Sequence, residues 1–304
     1  MLSRLFSSGG RQRFGFALFC LIALATYAQC QSRSVKVAVL DFGPSPTGAR
    51  ATATVRSIFE KASDEFSLVD SDLARAAARG AGFHGSLNLT TQEARDLGAA
   101  IGCEFYFIGD AETLRRSPSS GAAYFESFAS IFLVSARTGR LILWERPLEK
   151  RDTSAEAESA LLKSLASEET RQRYQNVPRR ALEDERAERQ QAIEKPASII
   201  EVMSDDDKTP EDKDVRPPRP YRRPKPPYPE SAARAEVEAV VDVLVDVDAR
   251  GEISDLEIAR WAGYGLDQSV LDTLKQMHFF PAMRSGAAIP MRVLLRYNFR
   301  KPPK

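Results

Sequence analysis

PYPESAARAEVEAVVDVLVDVDARGEISDLEIARWAGYGLDQSVLDTLKQMHFFPAMRSGAAIPMRVLLRYNFR, residues 227–300, is the stretch whose periodicity decides the fold of the C-terminal part of this chain. Val241, Val243, Val245 and Val247 fall on one face of a period-two pattern, and Asp242, Asp246 and Asp248 fall on the other. Such a strand packs one face on a core and turns the other to water. Asp248-Ala249-Arg250-Gly251 reads as a turn with Gly251 at a positive φ, after which Ile253, Leu256 and Ile258 carry the chain back. Leu266, Val270, Leu271, Leu274 and Met277 then repeat at helical spacing. Met291, Val293, Leu295, Tyr297 and Phe299 close the segment, alternating with Arg292, Arg296 and Asn298. Three antiparallel strands and two helices, the first a short one after Tyr228-Pro229, are enough for an independent core, and residues 226–302 are expected to fold alone.

The same residues resemble the C-terminal domain of TonB-family energy transducers. Tyr228 and Pro229 match that family's Tyr-Pro, Gly251 its hairpin glycine, and Phe279 and Pro281 its Phe-x-Pro. Glu236 and Ala239 stand where the family usually has glycine, and Met277 where it often has Trp. The resemblance implies a periplasmic α+β module that engages an outer-membrane TonB-dependent transporter through the transporter's TonB box. The accepting edge would be the last strand: Met291, Arg292, Val293, Leu294, Leu295, Arg296, Tyr297, Asn298 and Phe299. Its odd-numbered side chains would hold the core, while Arg292, Arg296 and Asn298 face a guest peptide or a second copy, so a homodimer through this module is also expected. Inner-membrane motor proteins and peptidoglycan are further partners the resemblance suggests.

At the other end, Arg4, Arg11 and Arg13 precede an apolar run from Phe14 to Ala28. A basic start and a run too short to span a bilayer read as a signal peptide over residues 1–28 that directs the chain to the periplasm. TonB-family proteins retain an inner-membrane anchor, so a retained signal-anchor stays open. Cys30 also invites lipidation, against which Gln29 stands where a small residue belongs. Cys30 and Cys103 can pair in an oxidising compartment, although Cys103, just before the apolar Phe105-Tyr106-Phe107-Ile108, reads better as a buried thiol.

Residues 35–149 read as a separate α/β domain with a mixed sheet. VKVAVLDF from Val35 opens it as a strand, and Val55, Ile58, Phe59, Ala62 and Phe66 mark a helix. A short strand around Leu68-Val69, Ser71 as an N-cap, a helix ending at Gly80, and the capping box Thr90–Glu93 follow. A strand through Ile108 and a hairpin across Arg137-Thr138-Gly139-Arg140 complete the set. VAVLDF, IGCEFYFIGD and FLVSARTGRLILW resemble the α/β domains of CsgG-like and TolB amino-terminal proteins, which implies a binding or assembly platform without catalytic residues.

Residues 150–195 are rich in Ala, Glu, Arg and Gln and read as helical, with Leu161, Leu162, Leu165 and Tyr174 docking the first part and a break near Pro178. Residues 196–225 read as a disordered acidic run, SDDDKTPEDKD, followed by a basic Pro-rich spacer, RPPRPYRRPKPP. The whole is thus α+β: an α/β domain, a helical and Pro-rich linker, and a TonB-like module.

Chemical sites fail on inspection. Asp246-x-Asp248-x-Arg250-Gly251 places a cation where a calcium loop needs oxygen, and His84 and His278 lack neighbours at metal spacing. No phosphate loop or nucleophile elbow appears, so no catalytic, cofactor-binding or metal residue is assigned and no enzyme is expected. With 43 Lys and Arg against 42 Asp and Glu, the net charge of +1 gives no global attraction to nucleic acid. Strand-mediated protein binding with energy transduction is the first functional expectation. A non-transducing envelope assembly protein is the second.

Overall fold

The computed structural model describes residues 34–119, 121–194, 201–203 and 215–301. The run read as a signal peptide, Cys30, and the acidic run 204–214 lie outside the described residues. Val35–Val39 (β1), Pro46–Glu60 (α1), Phe66–Leu68 (β2), Ser71–Gly80 (α2), Thr91–Ile101 (α3), Phe105–Arg116 (β3), Tyr124–Ser135 (β4), Leu141–Glu145 (β5) and Leu148–Arg151 (β6) build the first sheet and its helices. The strand order is β2-β1-β3-β4-β5, with β6 also on β4. β1 is parallel to β2 and β3, whereas β3, β4 and β5 are antiparallel, which makes the mixed sheet that the alternation of elements implies.

The crossovers from β1 to β2 and from β2 to β3 run in opposite directions across the sheet. Right-handed connections therefore place their helices on opposite faces. Val55, Ile58 and Phe59 of α1 pack with Phe105, Phe107, Ile131 and Leu133 on one face. Ala74, Ala78, Ala94 and Leu97 of α2 and α3 pack with Tyr106, Ile108, Phe132 and Val134 on the other.

Local chemistry sets the boundaries. Thr90 and Glu93 make the expected capping box, and Gly102 ends α3 in the left-handed region. Two expectations shift. Phe66 begins β2 and leaves the helix, because its ring packs edge-on against Phe59 at 5.2 Å between centroids. Asp70, not Ser71, caps α2, since its carboxylate accepts from the N–H groups of both Asp72 and Leu73.

Ser154–Leu165 (α4) and Glu168–Glu194 (α5) follow. Leu161, Leu165 and Tyr174 are buried against α1 and the sheet, as the sequence suggests. The expected break near Pro178 is absent: α5 runs through it. Proline removes the N–H that would bond the Tyr174 carbonyl, but buried Tyr174 and Ala181 hold the turns on both sides against the core. Nor is the later part simply solvated. Glu185 is 5% exposed and accepts from Ser135 Oγ at 2.5 Å and Arg137 Nε at 2.7 Å, which fixes α5 to the β4–β5 hairpin.

The remaining elements are Glu201–Met203 (β7), Val215–Arg216 (β8), Arg219–Pro220 (β9), Glu230–Arg234 (α6), Ala239–Val247 (β10), Ile253–Arg260 (β11), Leu266–Leu274 (α7), Phe279–Phe280 (β12), Ala282–Arg284 (β13), Ala287–Ile289 (β14) and Met291–Phe299 (β15). β11, β10 and β15 are antiparallel, and β7 lies parallel to β15 on its outer side. The start of the basic Pro-rich run corrects the reading of that run as a spacer. β8 pairs with β13 and β9 with β12, so residues 215–220 are laid onto the C-terminal module. Prolines tolerate this placement because these short strands need few ladder N–H donors.

The core expected to close residues 226–302 is continued by the α/β sheet. Val241, Val243, Val245, Leu266 and Val270 belong to the same buried cluster as Tyr106, Phe132 and Val134. Val35–Lys304 forms one compact unit. Glu236, which stands where the related family has glycine, has φ +51°. That conformation costs a β-carbon-bearing residue about 1 kcal/mol. Glu236→Gly is therefore expected to stabilise the protein by about 0.5–1 kcal/mol in urea unfolding. A loss of stability would mean that the 3.4 Å ion pair from Lys301 outweighs the strain.

Candidate strand-accepting edge

β15 is paired in full register with β10, from Ala239 opposite Phe299 to Val247 opposite Met291. Met291, Tyr297 and Phe299 are buried, and Val293 and Leu295 pack against the core partly buried, which matches the alternation. The opposite face departs from expectation. Asp242 and Asp246 are not in water: they are 3% and 4% exposed. Arg292 donates to Asp246 through Nε and Nη2 at 2.5 and 2.7 Å, and Arg296 donates to Asp242 through the same atoms at 2.8 and 3.0 Å. Arg260 adds a 3.4 Å contact to Asp242. These cross-strand forks hold both β15 guanidinium pKa values above their ordinary range, the hydrogen bonds to Asp being the main cause. Arg292 and Arg296 are thus engaged with carboxylates of the same sheet, while the Arg296 side chain stays 56% exposed. Leu294, 47% exposed, and exposed Asn298 remain on that face.

The outer rim of β15 is partly taken. Glu201–Met203 covers Met291–Val293. The Arg223 guanidinium donates to the Arg296 carbonyl at 3.0 Å and lies 5.5 Å over the Tyr297 ring. A carbonyl that meets Arg223 points away from β10, and in an antiparallel ladder both polar groups of one residue point the same way. The N–H groups of Leu294, Arg296 and Asn298 therefore face outward beyond β7, with no strand paired to them among the described residues.

The motif residues are structural neighbours. Tyr228 Oη donates to the Val237 carbonyl at 2.5 Å, and Pro229 caps α6. Gly251, at φ +87°, lies against Phe279, whose carbonyl is 1.9 Å from where a Cβ would sit, and the Phe279 N–H donates back to Gly251 at 3.0 Å. Pro281 is the next contact of that position. Tyr297 Oη donates to Met277 Sδ at 3.8 Å, and the methionine is buried. Asp248 accepts from the backbone N–H groups of Arg250 and Glu252 and closes the turn.

Residues 224–300 match the family described as Gram-negative bacterial TonB protein C-terminal. This segment is a TonB C-terminal domain. The match stops short of the α/β sheet and speaks for the C-terminal module alone. Among solved structures, the Pseudomonas aeruginosa TonB C-terminal domain is similar, at 20% identity and TM-score 0.26, covering 35% of this chain and 99% of that one. A hypothetical protein of Chlamydia trachomatis is similar at 13% identity and TM-score 0.33, covering 48% and 98%. The LpoB C-terminal domain from Salmonella enterica is similar at 16% identity and TM-score 0.28, covering 42% and 93%. At such scores none of the three bears on function. A search of curated proteins finds no match.

What the sequence reading missed is how the TonB module is held. Trp261, 1% exposed, packs on Phe132 at 5.8 Å and donates Nε1–H to the Gly139 carbonyl at 3.0 Å. Asn88 Nδ2 donates to the carbonyls of Val240 and Trp261 at 2.8 and 2.6 Å, while its Oδ1 accepts from the Val240 N–H at 3.0 Å. The signal available in the sequence was WAGYG, two aromatics in a glycine-rich passage after an already complete strand. Asp267 accepts from the Ala262 and Gly263 N–H groups beside this joint, and burial pushes its carboxyl up to about 6. Burial likewise pushes the Cys103 thiol up to about 12, so it is an unreactive thiol at neutral pH. Among the described residues no group of His, Cys, Asp and Glu could hold a metal ion, and no helix is long and apolar enough to cross a membrane.

Proposed function

We propose that this chain is a non-catalytic TonB-like protein of the Gram-negative periplasm that binds an outer-membrane TonB-dependent transporter by strand addition. The observation that carries the reading is the outward backbone of Leu294 and Asn298, unpaired among the described residues, within the TonB C-terminal match. A transporter's extended TonB box supplies the backbone partners, and Leu294 supplies an apolar contact on the exposed face. The shared core favours a second reading, in which the TonB module is a fixed interaction unit and transduces no force.

Leu294→Pro removes an outward N–H without touching the β10 ladder and is expected to abolish capture of a TonB-box peptide. Arg296→Ala leaves Asp242 its contact with Arg260 and should weaken capture only a few-fold. Near-ultraviolet circular dichroism establishes that both variants fold. Undiminished capture by folded Leu294→Pro would place binding elsewhere. Recovery of no TonB-dependent transporter from an outer-membrane extract would remove that partner. Fractionation with N-terminal sequencing separates the two readings, because force transduction requires a retained inner-membrane anchor.

A further inference from the structure

Of the five cations of the Pro-rich run, Arg223 donates to the Arg296 carbonyl, and Arg216, Arg219, Arg222 and Lys225 are the other four. Arg216 and Arg219 lie in the short strands β8 and β9, and Arg222 and Lys225 follow within the next six residues, so the four charges form one basic ridge along the chain. All four side chains are exposed, and none has an acidic partner among the described residues. Pairing of β8 and β9 with β13 and β12 fixes the start of the ridge to the folded unit. Beside it, Tyr221 and Phe280 pack as a tilted pair with centroids 4.2 Å apart yet stay 57% and 58% exposed. Phe280 is paired directly with Arg219, so the apolar knob and the cations are adjacent.

We propose that this ridge and its aromatic pair form a docking surface for an anionic phospholipid bilayer. The net charge of +1 hides this concentration of positive charge. Four cations without an acidic partner among the described residues meet lipid phosphates electrostatically, while exposed aromatic rings suit the boundary between headgroups and acyl chains. A soluble acidic polymer satisfies the cations but offers little to an exposed Phe280. The bilayer uses both features.

The test uses the compact Val35–Lys304 unit, which leaves out the apolar N-terminal run and any membrane affinity of its own. Co-sedimentation with vesicles of phosphatidylcholine containing half phosphatidylglycerol is expected to show binding that pure phosphatidylcholine lacks. Each cation removed should weaken partitioning about fivefold, so the Arg222→Ala/Lys225→Ala double variant loses about 25-fold. High salt should reproduce that loss. Phe280→Ala should lower binding at low and high salt alike, since apolar burial is not screened. Equal binding to neutral vesicles, or a double variant that binds like the parent, overturns the proposal. So does retention on soluble polyglutamate with none on vesicles, which would assign the ridge to an acidic peptide.

Discussion

Trp261→Ala is expected to destabilise the protein by about 3–5 kcal/mol in urea or thermal unfolding. The indole is among the largest fully buried side chains and stands where the TonB module meets the α/β sheet. Its removal opens a cavity between Phe132 and the first turn of α7 and leaves the Gly139 carbonyl without its donor. Domain stabilities are about 5–15 kcal/mol, so a loss of this size separates the modules or unfolds the chain. Trp261→Phe keeps the ring contact and loses only the Nε1 bond, at a cost of about 1 kcal/mol plus some packing. A loss below about 1 kcal/mol for Trp261→Ala would show that the two sheets do not depend on this joint.

Gly139→Ala is expected to cost about 2–4 kcal/mol. Gly139 has φ +69°, and a Cβ there would lie 1.9 Å from the Thr91 carbonyl oxygen and 2.7 Å from its carbon. The conformation itself costs about 1 kcal/mol, and moving the hairpin off the start of α3 adds about 1–3 kcal/mol. The Gly139 carbonyl itself accepts from Trp261, so the two substitutions should couple. A double-mutant cycle additive to within about 0.5 kcal/mol would show that the hairpin and the indole act independently.

Much of this architecture was legible in the chain. The Val241–Val247 alternation, the Asp248–Gly251 turn and the Thr90–Glu93 capping box are local patterns, and each produced the element it implies. Leu161, Leu165 and Tyr174 dock as their spacing suggests. The readings that moved depended on partners far along the chain. α5 continues through Pro178 because core contacts on both sides outweigh one missing hydrogen bond. Residues 215–220, Pro-rich and basic, pair with β12 and β13 because those short strands offer edges, a fact no local composition encodes.

The candidate edge divides in the same way. Sequence determined that Met291–Phe299 is a strand, which side chains face the core, and that residues 224–300 form a TonB C-terminal domain. Period and motif are properties of neighbouring residues and survive being read in one dimension. Only the tertiary structure decided that Asp242 and Asp246 bury their carboxylates beneath Arg296 and Arg292, more than forty residues away in the chain. It also decided that β7 and Arg223 cover part of the rim, and that Asn88 and Trp261 join the module to the α/β sheet. These contacts join residues up to 173 positions apart. A pairing at that separation depends on how the sheets stack, since a half-buried polar group or an extra aromatic is satisfied by whichever surface the folded chain brings to it.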